Sequence, residues 1–177
     1  MEIKTKRLIL RKPSVKDAKD LARNGNEKDM FYFTWYIPYP FTVSKAIKII
    51  KWLNKEIRKK EDGDKTLAFC ITLKNNGEVI GVIDLYDISN KNKRAKIGYW
   101  IGKEHRGKGF ASEAVKAVLN IGFKKMKLNK ISAETLKDNY GSNKLLKRLE
   151  FKEIGIKKKH KLLEGKLRDI VLWEILK

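Results

Sequence analysis

Two apolar runs, TLAFCITL at 66–73 and EVIGVIDLYD at 78–87, face each other across Asn75-Asn76-Gly77. An Asn-Gly pair tolerates the positive φ angles that a tight hairpin requires, so the runs are expected to pair as antiparallel strands. RAKIGYWI at 94–101 reads as the third strand of the same meander. The period then changes: residues 110–126 place Ala114, Val118 and Ile121 at helical spacing, and KISAETL at 130–136 returns to strand character. A strand, a long helix and another strand in sequence form a crossover, which runs its two strands parallel. A meander joined to a crossover requires one mixed sheet with helices on its faces.

The flanking segments extend this plan. Arg7-Leu8-Ile9-Leu10-Arg11 alternates like a strand and runs into Pro13, after which Ser14 and Asp17 form a capping box for a helix ending at Gly25. Thr42 caps a longer helix with Ala46, Ile49, Ile50, Leu53 and Ile57 on one face and lysines opposite, broken by EDGD at 61–64. Gly141–Leu149 is a short helix with Leu145, Leu146 and Leu149 inward. Residues 151–160 and 167–176 are two strands joined through Glu164-Gly165. The order βα-αβββ-αβ-αββ describes an α/β chain with a mixed sheet, as one domain over residues 1–177 without repeats or linkers.

Composition narrows the function classes. No apolar run approaches the roughly 18 residues of a membrane span, and MEIKTKRLIL lacks the apolar core of a secretion signal, so a cytoplasmic location without membrane association is expected. The single cysteine, Cys70, sits inside a strand-like run and reads as an inert core thiol. His105 and His160 are too few and too separated for a metal site, so no metal is expected. Against 21 Asp+Glu stand 42 Lys+Arg, a net charge of +21, which draws polyanions such as nucleic acid, ribosomes or phosphorylated cofactors.

The most chemically loaded stretch is GKEHRGKGFAS at 102–112, at the start of the crossover helix. Gly102, four residues and Gly107-Lys108 begin a P-loop, but Gly109 stands where a magnesium-holding hydroxyl belongs. Lys108-Gly109-Phe110-Ala111 begins an RNA-recognition strand, but Ser112-Glu113 and the helical period break it. A third reading uses the residues as they stand. Glycines let the backbone approach a ligand, successive amides converge in a nest, and the helix start adds its dipole, together suiting a diphosphate. The plain alternative is a basic, glycine-rich loop that only caps a helix.

The run IGYWIGKEHRGKGFASEAVKAVLNIGF resembles the acetyl-CoA-binding segment of the GNAT N-acetyltransferases, whose signature is Q/R-x-x-G-x-G/A, here Arg106 through Ala111. Asn139-x-x-Ser142-x-x-Leu145 is similar to the family's second cofactor motif. TKRLILRKPSVKDAKDL and EGKLRDIVLWEIL look like its RimJ/RimL branch, which acetylates protein N-termini. The resemblance implies a GNAT fold whose central sheet splays between strands 94–101 and 130–136, with acetyl-CoA (CoA) in the gap and no metal. It places the thioester arm on backbone groups of Trp100 and Ile101. The diphosphate falls on Arg106, Gly107, Lys108, Gly109, Phe110, Ala111 and Ser112, and the far side of the arm on Asn139 and Ser142. For each of these the alternative is ordinary sheet or helix-cap duty.

The implied reaction is direct attack of a primary amine on the thioester, which calls for a base, an oxyanion donor and an acid or water for the thiolate. The resemblance favours Glu134 as base, with Asp84 and Tyr99 in reserve; a solvent-facing surface glutamate is the alternative. Period 2 puts Ser132 and Glu134 on one face of their strand. Many relatives carry a tyrosine where this chain has Leu146, and a glycine where it has Glu150 before Phe151, so Ser142 or water takes the acid's place. Residues 31–41, FYFTWYIPYPF, hold seven aromatics and no lysine or arginine. In similar proteins this connection borders the acceptor site, which nominates Trp35, Tyr36 and Tyr39, with Asp84 and Tyr99 as further substrate-binding candidates; rings covering the core are the alternative.

A strongly basic enzyme repels polyamines and aminoglycosides, which ranks a ribosomal or other protein N-terminus first as acceptor, with association to the ribosome or another polyanion. Small-molecule amine acetylation and a non-catalytic GNAT-like binder of ribosome or nucleic acid are the alternatives. Either a monomer or a homodimer is compatible with the sequence.

Overall fold

The computed structural model describes residues 1–34, 37–56 and 65–177. Eight strands form one sheet: β1 (Glu2–Lys4), β2 (Leu8–Arg11), β3 (Lys65–Leu73), β4 (Val79–Ser89), β5 (Arg94–Ile101), β6 (Lys130–Leu136), β7 (Lys152–Leu163) and β8 (Lys166–Leu176). Their spatial order is β1-β2-β3-β4-β5-β6-β8-β7, and β5–β6 is the parallel pair within an otherwise antiparallel ladder. Five α-helices accompany it among the described residues: α1 (Ala18–Gly25), α2 (Lys28–Phe33), α3 (Val43–Glu56), α4 (Phe110–Asn120) and α5 (Tyr140–Arg148).

The meander and the crossover stand where the sequence puts them, with three additions. Glu2–Lys4 adds an edge strand to β2. Residues 28–33, the last three of which belong to the expected connection 31–41, form α2, whose Met30 is buried in the core. The crossover helix keeps α-helical geometry only to Asn120, and residues Ile121–Lys125 continue it as a π-helical turn. Ile57 and the EDGD break lie outside the described residues.

Both faces of the sheet carry apolar cores. On one face Leu10, Ile71, Ile83, Ile97 and Ile131 pack against Ala114, Val115 and Val118 of α4 and Leu146 of α5. On the other, Cys70, Val82 and Trp100 pack against Leu21 of α1, Met30 of α2, and Ala46 and Ile50 of α3. Fully burying one such aliphatic side chain is worth about 2 kcal/mol. The expected Ser14–Asp17 box is present at a short 3-10 turn leading into α1, where the Ser14 amide donates to Asp17 Oδ2 at 2.7 Å. Burial pushes the Asp17 carboxyl up, but a two-pronged bond and charge from Arg11 (2.7 and 2.9 Å), with the bond from the Ser14 amide, together outweigh it and hold Asp17 below the usual aspartate range.

The feature that positions the site lies between β5 and β6. They pair only through Arg94–Lys96 and Lys130–Ser132, and beyond that the ladder ends. β4 remains bonded to β5 as far as Ile101, and β8 to β6 as far as Leu136, so each half of the sheet keeps its own edge. The two strands diverge, and the gap opens toward the start of α4.

Candidate active site

A cleft of about 620 Å3 occupies this gap. One wall is the end of β5, Tyr99, Trp100 and Ile101, running into the loop before α4. The other is the start of α5, including Asn139 and Ser142, and Met30, Phe33 and Thr34 of α2 complete it.

The loop wall is a donor surface. Gly107 and Gly109 hold φ of 74° and 79°, a left-handed backbone that glycine adopts without strain. Gly109 is the N-cap of α4 and no side chain caps that helix, so the amides of its first turn have no intrahelical acceptor. The one acid of that turn, Glu113, is turned away. It takes hydrogen bonds from Thr5 Oγ1 (2.6 Å), the Arg7 amide (2.7 Å) and Arg7 Nε (2.7 Å). These bonds outweigh its burial and keep its pKa below the ordinary glutamate value. The helix start therefore presents amides and a positive dipole end to the cleft with no carboxylate of its own facing them. Arg106, Lys144 and Arg148 add positive charge along the walls.

Tyr99 Oη and Trp100 Nε1 are buried without hydrogen-bond partners; Tyr99 neighbours Ser142 at the cleft, whereas the Trp100 ring packs into the core beneath α1 and α3. Burial pushes the Tyr99 phenol up to about 12, and the neighbouring Ser142 hydroxyl only partly offsets it, at a geometry short of a hydrogen bond. A neutral hydroxyl lining a cleft is a donor without an acceptor. Asn139 uses its Oδ1 to cap α5, accepting from the Ser142 amide at 3.2 Å.

The sequence-nominated residues divide into three groups. Tyr99, Trp100, Ile101, Arg106, Gly107, Gly109, Phe110, Ala111, Ser112, Asn139 and Ser142 all line this one cleft. Lys108 belongs to the loop but gives its carbonyl to Arg7 NH1 (2.9 Å). Tyr39 is half exposed and does not line it, and Trp35 and Tyr36 lie outside the described residues. Glu134 lines a separate hollow of about 310 Å3, where its Oε1 lies 3.2 Å from Lys157 Nζ and 3.7 Å from Lys96 Nζ. Asp84 is 7% exposed and sits on β4 opposite Gly98, so close that a β-carbon there would lie 2.7 Å from Asp84 Oδ1. Burial lifts its carboxyl to about 7 against a weaker opposing hydrogen bond from the Gly98 amide.

Three residues escaped the sequence reading. Tyr32 Oη donates to Asp138 Oδ2 at 2.8 Å, and Arg168 NH1 lies 3.7 Å from the same oxygen with its guanidinium over the Tyr32 ring. Together they tie α2, the turn before α5 and β8 beside the cleft. The only sequence signal is Tyr32's place in the aromatic run. Among the described residues no group of three or more His, Cys, Asp or Glu could hold a metal, and no helix is long and apolar enough to cross a membrane.

Comparison with known proteins agrees with this geometry. Residues 7–152 match the family described as Acetyltransferase (GNAT) domain. The chain is 34% identical over 173 residues to the uncharacterized N-acetyltransferase p20 of Bacillus licheniformis, covering 98% of this chain and 94% of that protein. It is 29% identical over 128 residues to the ribosomal-protein-serine acetyltransferase of Escherichia coli, covering 66% of this chain and 72% of that one. A solved structure of RimL, the ribosomal L7/L12 alpha-N-protein acetyltransferase in complex with coenzyme A, superposes with a TM-score of 0.88 at 20% identity, covering 99% and 98% of the two chains. A splayed mixed sheet with a glycine-rich, uncapped helix start beside it, together with these matches, shows that the chain belongs to the GNAT acetyltransferases.

Proposed function

We propose that the cleft binds acetyl-CoA and that the enzyme transfers its acetyl group to a primary amine, the N-terminal α-amine of a ribosomal or other protein. The observation that carries this reading is the meeting of two features in one cleft. The uncapped amides of α4, beside Gly107 and Gly109, suit a diphosphate, and the unpaired edges of β5 and β6 lead inward from them to the orphaned Tyr99 hydroxyl. The residues thus fit the cofactor. Trp100 and Ile101 would hold its thioester arm, residues 106–112 its diphosphate, and Asn139 and Ser142 the far side of the arm.

Acetyl-CoA supplies an activated acyl group with a good leaving sulfur. A neutral amine attacks the carbonyl, forming C–N as C–S breaks; its extra proton goes to a base and the sulfur gains one. For the base we favour Asp84. Its carboxyl titrates near 7, the range in which a base both is unprotonated and holds a proton usefully. It sits on β4 opposite Gly98 and does not line the cleft, so on this assignment the proton reaches it by relay and not by direct contact with the amine. Glu134, bracketed by Lys96 and Lys157, serves as a counter-ion in its own hollow. Tyr99, protonated through the physiological range, with Ser142 beside it, gives a hydrogen bond to the departing sulfur. That assignment answers the absence of a tyrosine at Leu146, a fully buried core residue. An α-amine, with a pKa near 8 against about 10.4 for lysine, reaches its neutral form more readily.

The acceptor class rests on the net charge of +21, which disfavours polycations, and on the relatives that acetylate ribosomal proteins. The test is incubation with acetyl-CoA and a panel of ribosomal-protein N-terminal peptides plus spermidine, reading free thiol and product mass. Acetylated peptide α-amines are expected. Acetylated spermidine alone contradicts the acceptor, and no thiol release with nucleic-acid binding contradicts catalysis.

A further inference from the structure

We infer that Arg7, on the turn before β2 and far in sequence from the cleft, is a positioning residue that sets the direction of the amide at the heart of the anion cradle. The argument is geometric and rests on the reading that the cleft takes acetyl-CoA. Arg7 forms a fork with two distinct targets. Its Nε bonds Glu113 Oε2 at 2.7 Å, and its NH1 bonds the carbonyl of Lys108 at 2.9 Å. The guanidinium also lies 4.5 Å from the centre of the Phe110 ring.

A trans peptide is planar, with its C=O and N–H pointing opposite ways. Holding the Lys108 carbonyl toward Arg7 therefore aims the Gly109 N–H away from Arg7. Gly109 lines the cleft, so the hydrogen bond on one side of the loop orients a donor on the other. Gly109 is also the residue whose left-handed backbone would otherwise let this peptide plane turn, since glycine populates several such conformations. The anchor under Arg7 is rigid. Glu113 is held by Thr5 Oγ1 and the Arg7 amide as well, and Thr5 is tied to Leu8, its amide donating to the Leu8 carbonyl and its Oγ1 accepting from the Leu8 amide, each at 3.0 Å. The turn between β1 and β2 thus acts as a fixed strut behind the cradle.

A guanidinium can satisfy a carboxylate and a carbonyl at once in a fixed plane; an ammonium is a point donor on a flexible stem. This separates positioning from charge and from general stability. Titration calorimetry would compare CoA with pantetheine, which has the same thiol arm but no diphosphate, on the wild type, Arg7→Lys and Arg7→Gln. Both variants are expected to weaken CoA about tenfold, the scale of one lost charge-assisted bond, and to leave pantetheine within about twofold. Equal losses for both ligands would assign Arg7 a merely structural role, and retention of wild-type CoA affinity by Arg7→Lys would reduce it to charge; either result overturns the proposal. Should Arg7→Gln fail to fold, Arg7→Lys and Glu113→Gln, which frees the fork while keeping the cation, carry the same comparison. Wild-type protein that does not bind CoA sinks the reading of the cleft, whereas tight wild-type binding with unchanged variants sinks only the role of Arg7.

Discussion

Asp84 is the residue at which burial and chemistry meet. A carboxyl raised from 3.8 to about 7 binds more protons in the folded than in the unfolded state across that interval. Its contribution to stability is therefore fullest below pH 4 and is lost as pH rises toward 7, a swing of about 4 kcal/mol at most. Asp84→Asn removes the ionisable group, so its melting temperature should gain on the wild type as pH rises from 5 to 8. The same variant should lose about 10² to 10⁴ in kcat/KM for an acetylated peptide. The wild-type rate should climb through an apparent pKa near 7, a step that Glu134→Gln retains. A pH–rate profile of the three proteins reads the kinetic outcomes, and thermal melts of the wild type and Asp84→Asn from pH 5 to 8 read the stability one. An unchanged step in Asp84→Asn, or its loss in Glu134→Gln, reverses the assignment of the base.

Among the elements, α2 shows how a short helix is made dependable. Six residues are too few to be stable alone, since helix nucleation outweighs so few hydrogen bonds. Buried Met30 holds one side, and the bond from Tyr32 to Asp138, with Arg168 stacked on the ring, holds another. Tyr32→Phe removes that bond alone, at a cost of about 1 kcal/mol. Amide exchange in α2 should then quicken about fivefold, with α4 unchanged. Equal rates in both proteins would show that Met30 suffices. The crossover helix makes a related point. Its cleft end is left uncapped for use, while the far end relaxes into a π-helical turn over Ile121–Lys125 before β6.

For the whole molecule, most of the fold was legible because its signals are local. Asn76-Gly77 announces the hairpin, period 2 gives way to period 3.6 after Ile101, and the crossover dictates a parallel pair. One wall of the cleft was legible for the same reason, residues 99–112 being nearly continuous, and so was the α5 cap at Asn139 and Ser142; the α2 wall was not. What could not be read is set by partners distant in sequence. Glu134 alternates onto a known face, but which hollow it lines depends on Lys96 and Lys157 arriving from other strands. Asp84 was readable as a reserve base, but its burial is set only when β5 pairs over it, and α2 has no period long enough to announce itself. Glu113 looks like an ordinary first-turn acid complementing a helix dipole, until Thr5 and Arg7 turn it to the opposite side.

That arrangement gives a basic chain a helix start whose own acid, Glu113, is turned away from the cleft, and this cradle can be watched directly. Amide resonances of Gly107 through Ser112 would be followed during titration with CoA. The account predicts large shifts at Gly109, Phe110 and Ala111, smaller ones at Trp100 and Ile101, and none at Glu134. Saturating CoA that leaves Gly109–Ser112 unmoved, or moves Glu134 and Lys157 instead, would contradict it.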